Sequence, residues 1–157
     1  MEDNTMLRHI VATLAYRAGK ALRGAPAEFA SYRGTSEGRT PVEIVAHMGD
    51  LFDWALLLAN GKHEWHNSTP LPWEDEVSRF FGILEAFDKR LASGEPLGFP
   101  VEKLFQGPVA DALTHVGQIA MLRRMAGCPM RSENYFAAAI TPGRVGPDQA
   151  APAFEFD

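Results

Sequence analysis

Four stretches of this chain repeat their apolar residues at steps of three and four, and glycine or proline punctuates the intervals between them. The first set is Leu7, Ile10, Val11, Leu14, Ala18, Ala21 and Leu22, closed by Gly24 and Pro26. The second follows Thr40-Pro41-Val42-Glu43, where an N-cap hydroxyl, a first-position proline and a glutamate three residues on form a capping box. It carries Ile44, Leu51, Trp54, Ala55 and Leu58 and ends at Asn60-Gly61. The third opens on Trp73 with the acidic turn Glu74-Asp75-Glu76 and runs through Val77, Phe80, Phe81, Leu84, Phe87 and Leu91 to Gly94. The fourth begins at Gly107-Pro108, carries Ile119, Leu122 and Ala126, and ends at Gly127 with Pro129 just beyond. No segment alternates apolar and polar residues as a half-buried strand does. The fold class predicted is therefore all-α: a four-helix bundle with long crossover connections. Gly94 to Gly107 is read as an irregular crossover and Met130 to Ile140 as a short helix or turn. Residues 141–157 form a Pro/Gly-rich tail, whose Phe154 and Phe156 are expected to dock it on the body.

A length of 157 residues suits one domain with one core, so residues 1–157 are read as a single unit. The net charge of -5 and the absence of a Lys/Arg block argue against nucleic acid or an anionic membrane as partner. The acidic start Met1-Glu2-Asp3-Asn4 and the lack of any 18-residue apolar run argue against a signal peptide or a membrane span. The single cysteine, Cys128, excludes an internal disulfide and fits a reducing compartment. It is read as a structural thiol, and a cytoplasmic location is expected.

Two of the helices carry polar groups where apolar ones belong. Asp111 and His115 lie about 40° apart on the helix wheel, at the head of the stripe formed by Ile119, Leu122 and Ala126. His47 projects from the middle of the second stripe, among Ile44, Leu51, Trp54, Ala55 and Leu58. Buried polar groups need partners, because one left unpaired costs roughly 1–3 kcal/mol. A divalent ion is such a partner, and the i, i+4 spacing of Asp111 and His115 suits two ligands on one helix. Two imidazoles and a carboxylate make an open site for Zn²⁺ or another divalent ion, with the oxygen ligand leaning toward iron or manganese. The competing reading is a hydrogen-bonded network of the same three residues in a non-catalytic bundle that binds a small molecule or itself. His63 and His66 lie in a polar connection without an apolar wall and are read as surface groups, as is His9. Trp65 and Trp73 are expected to fold the neighbouring loop over one end of the interior.

On the segments Ala46-His47-Met48-Gly49-Asp50 through Trp54, and His115-Val116-Gly117-Gln118-Ile119 through Leu122-Arg123 and Gly127, the chain resembles the DinB/YfiT-like superfamily of bacterial metal-binding bundles. The resemblance implies a divalent metal, often nickel or zinc, held by a histidine of the second helix and a His-x-x-x-His pair of the fourth. His47 matches the first ligand and His115 the last, while Asp111 stands at the middle position. It further implies a thiol-dependent transferase, isomerase or hydrolase using a low-molecular-weight thiol on a small-molecule electrophile, and a homodimer is expected. Asp50, Glu43 and Tyr135 are the candidate assisting residues: Glu43 and Asp50 flank His47 on its helix, and Tyr135 reaches the pocket if the last segment folds back.

Overall fold

The computed structural model describes residues 4–156, so Met1–Asp3, with the acidic start of the chain, and Asp157, the last residue of the tail, lie outside the described residues. Four helices of 16 to 20 residues dominate: α1 (Thr5–Leu22), α2 (Pro41–Ala59), α3 (Trp73–Ala92) and α5 (Ala110–Met125), with the single turn α4 (Val101–Leu104) between the last two. The chain is mostly helical, and no helix among the described residues is long and apolar enough to cross a membrane.

Local chemistry sets the helix ends. Thr40 Oγ1 accepts the Glu43 N–H at 3.4 Å and Pro41 occupies the first position of α2, while the Glu43 carboxylate turns toward Arg33 at 3.5 Å. At the other end Gly61 takes φ 80°, so its N–H reaches Leu58 O and the Lys62 N–H reaches Leu57 O, a Schellman closure. Gly127 (φ 78°) closes α5 in the same way, with the Cys128 N–H on Arg123 O, which makes Cys128 part of a helix cap.

α1 and α2 each pack against both α3 and α5. α1 contributes mostly small side chains to the interior, Ala12, Ala15, Ala18 and Ala21 among them, whereas α2 and α3 share a phenylalanine cluster. Phe52 is fully buried, with ring centroids 6.2 Å from Phe80 and 5.6 Å from Phe87. Gly98 brings the α3–α4 connection onto the end of α2: its N–H donates to Ala59 O at 2.9 Å, and a Cβ there would lie 2.2 Å from Gly61 N.

Three sequence expectations change. The fourth long helix does not begin at Pro108. Helix already forms at Val101, and the path continues through a π turn, Phe105–Val109, that contains the proline. A wider turn accommodates a residue that lacks an N–H and crowds the carbonyl four residues back. The buried face of α5 is also rotated from the expected stripe. It runs through Ala112, His115, Val116, Ile119 and Arg123, which leaves Asp111 at its edge and Leu122 and Ala126 only partly buried. Arg123 is buried because it donates to the carbonyls of Ala21, Arg23 and Cys128, tying α5 to the end of α1.

The tail does dock, but not by its phenylalanines. Two-residue strands β1 (Ser132–Glu133) and β2 (Glu155–Phe156) pair antiparallel, a pairing too short for alternation to announce. Lys20 of α1 bridges Glu133 and Glu155 at 2.7 Å each, and Val145 is buried, while Phe154 and Phe156 remain about half exposed against each other.

Two glycine substitutions separate backbone strain from crowding. G127A should cost about 1 kcal/mol, because a Cβ meets nothing there and only the left-handed φ is penalised. G98A should cost clearly more, at or above the roughly 1–3 kcal/mol of overpacking, because the new Cβ meets backbone that cannot rotate away. Chemical denaturation of both variants reads the order directly.

Candidate metal centre

The packing of α2 on α5 brings three side chains from distant sequence together. His47, Asp111 and His115 each offer a ligand atom, and those atoms lie within 4.8 Å of one another, the one such group of three among the described residues. His47 Nε2 stands 3.4 Å from Asp111 Oδ2, and the two imidazole centroids are 4.6 Å apart. A good N–H···O hydrogen bond is shorter than 3.4 Å. Ligands of a tetrahedral ion with bonds of about 2.0–2.1 Å stand about 3.3–3.4 Å apart, so this spacing is compatible with a shared cation as well as with a long direct hydrogen bond.

The backbone fixes which nitrogen of His115 is available. Its Nδ1 lies 2.7 Å from the Asp111 carbonyl oxygen, an atom that only accepts, so Nδ1 carries the proton and Nε2 presents a lone pair. Arg39 Nη1 lies 3.4 Å from that Nε2. The His47 imidazole is held below its ordinary 6.5, first by burial and then by the positive field of Arg39 and by His115, with Asp111 pulling the other way. A neutral imidazole near pH 7 is the form that binds metal.

Exposure grades across the group. The His115 side chain is 9 % exposed, His47 19 % and Asp111 46 %, so the site is walled on the histidine side and open at the carboxylate. Trp65 covers His47, ring centroids 5.6 Å apart, and meets Trp54 edge-on. Its loop is tied down by the α2–α3 contact: Asp50 accepts the Ser68 N–H at 3.1 Å, Glu76 accepts the Leu71 N–H at 2.8 Å, and Arg79 bridges both carboxylates and reaches Ala46 O. Trp73 instead packs edge-on against Phe29.

Beside His115 opens a cleft of about 620 Å³. Arg39, Thr114 and Gln118 supply its polar groups, and Ile44, Met121 and Leu122 its apolar ones. Volumes of this order hold small organic ligands.

The other sequence candidates are engaged elsewhere. Asp50 is committed to Arg79 and Ser68, Glu43 faces Arg33, and Tyr135 packs against Tyr16 with Arg17 over its ring. His66 pairs with Asp53 at 3.1 Å and His63 stacks on Trp54, both on the surface. His9 is exposed. The residue that sequence reasoning missed is Arg39. Its one cue was its place just ahead of the Thr40 cap, and no local pattern marks an arginine that faces a cleft made by another helix.

Comparison of the chain with protein-family models, with curated proteins and with solved structures finds no match.

With metal chelated, the His47 resonance should titrate below pH 6.5 in nitrogen-detected NMR. R39A should move that midpoint up and D111N should move it further down, because each removes an opposing charge. The folded chain holds this proton less tightly than the unfolded one. The contribution of His47 to stability is therefore intact above pH 6.5 and declines as the pH falls below it.

Proposed function

We propose that the chain is a DinB-like four-helix bundle that binds one divalent ion through His47, Asp111 and His115 and uses it to act on a small electrophile. The observation that carries this reading is the convergence of three ligand atoms from α2 and α5 within 4.8 Å. Three protein ligands leave room for a further one, the arrangement of a catalytic rather than a purely structural site. When bound, the ion supplies Lewis acidity, lowering the pKa of a thiol cosubstrate or of water so that the nucleophile is available near neutral pH.

The protein's own share is positional. The Asp111 carbonyl holds the His115 ring in the tautomer that offers Nε2, and burial keeps His47 neutral. Trp65 keeps water from one side of His47, while the half-exposed Asp111 and the cleft beside His115 leave an approach for a substrate. The resemblance to DinB-like bundles points to a thiol-dependent transferase or a hydrolase, in a cytoplasmic homodimer, and an open three-ligand site is compatible with that chemistry. Zinc and nickel suit the imidazoles, and iron or manganese suits the carboxylate.

The second reading is a non-catalytic polar network. The approach of Arg39 to His115 Nε2 favours it, since that contact occupies the lone pair a metal needs. The two readings part on metal titration of protein purified without a histidine tag. One equivalent of Zn²⁺, Ni²⁺ or Mn²⁺ should bind and raise the melting temperature, H47A and H115A should each lose at least about a hundredfold in affinity, and H63A and H66A should bind like the parent. An H115A variant that binds as tightly as the parent contradicts the ligand assignment and leaves the network. Light scattering should give twice the 17.3 kDa chain mass if the chain pairs.

A further inference from the structure

We infer that the cleft beside His115 binds a small organic carboxylate, with the Arg39 guanidinium holding the carboxylate and the wall of Ile44, Met121 and Leu122 holding an apolar body. The inference deepens the metal-site reading and rests on it for the chemistry, but the grip of Arg39 on an anion does not require the ion.

Arg39 differs from Arg8, Arg79 and Arg123 in what its guanidinium faces. Arg8 is bound to Asp88, Arg79 to Asp50 and Glu76, and Arg123 to three carbonyls. Arg39 makes no ion pair with a carboxylate among the described residues, and its guanidinium is directed at an imidazole nitrogen in a ligand-sized cleft. A guanidinium against a neutral ring gains little, and its planar fork of donors matches a carboxylate in two parallel hydrogen bonds.

The location of this cation fits an anion that approaches a metal. A guanidinium next to a divalent ion is repelled by it, and an anion lying between the two offsets that repulsion. The loss of the contact to His115 Nε2 when that lone pair is taken would free Arg39 for the cleft, where the Gln118 amide offers a further donor, the Thr114 hydroxyl being engaged with the Ala110 carbonyl. The remaining lining is apolar, which selects an organic body over a bare inorganic ion. Gly117 lines the same cleft, and a Cβ built there meets nothing within 4 Å, so the floor of the cleft at that point is open space.

Isothermal titration of the full chain with hexanoate, in chelator and again with Zn²⁺, tests the inference. In chelator the parent should bind hexanoate at least about tenfold more tightly than it binds hexanamide, acetate or inorganic phosphate. R39A should lose about tenfold or more, R39K should retain part of the affinity, and G117L, which fills the cleft from an open helix face, should lose binding while folding normally. Hexanoate that binds R39A or G117L as it binds the parent overturns the inference. So does hexanamide equal to hexanoate, phosphate tighter than hexanoate, or no hexanoate binding in chelator up to about 10 mM. Failure of the metal reading shows separately, as absence of Zn²⁺ binding by the parent with hexanoate binding in chelator intact.

Discussion

The contact between α2 and α5 turns three scattered polar residues into a site. His47 is sixty-four positions from Asp111 in the chain, yet its Nε2 comes within 3.4 Å of that carboxylate because both helices bury apolar faces in one core. Neither helix alone could hold two imidazoles and a carboxylate together, since only Asp111 and His115 are neighbours on one helical surface. The core therefore supplies the preorganisation: fully buried Met48 follows His47 directly, fully buried Phe52 lies just over a turn further along α2, and Ala112 and Val116 flank His115. Rigid helices hold such a constellation more tightly than loops can.

A second polar assembly supports the first from the neighbouring interface. Arg79, Glu76 and Asp50 lie between α2 and α3, where Gly49 leaves room for the guanidinium: a Cβ there would stand 2.7 Å from Arg79 Nη2. Their spare hydrogen-bonding capacity goes to the backbone of the connection between α2 and α3, at Ser68 and Leu71. That anchorage accounts for a twelve-residue exposed segment, residues 61–72, carrying Trp65 to a defined place over His47. The α1 face is handled differently. There Lys20, Tyr16 and Glu133 form a buried charged cluster that fastens the tail to α1.

What could be read in the sequence follows from how local each determinant is. The four long helices were legible, because apolar spacing and the caps at Thr40, Gly61 and Gly127 are determined within one or two turns. The phase of α5 was not. Arg123 looks like a surface residue until the carbonyls at the end of α1 are known to face it, and its burial turns Asp111 to the rim. The π turn at Pro108 was hidden for a related reason, since a proline after glycine marks a helix start as well as a widened turn. His47, Asp111 and His115 were visible as polar residues on or beside apolar stripes, whereas Arg39 acquires meaning only from the cleft that α5 builds. Asp50 was misleading because proximity along α2 to His47 says nothing of Arg79, which comes from another helix.

The proposed chemistry needs one ion at the point that His47 Nε2, His115 Nε2 and the Asp111 carboxylate face. Crystals grown with a zinc salt, measured on both sides of the zinc absorption edge, locate the ion without reference to function. An anomalous peak is expected within about 2.0–2.2 Å of those three groups. A peak at His63 or His66 instead, or a dry centre with His47 and Asp111 closed into a direct hydrogen bond while zinc sits elsewhere, would contradict it.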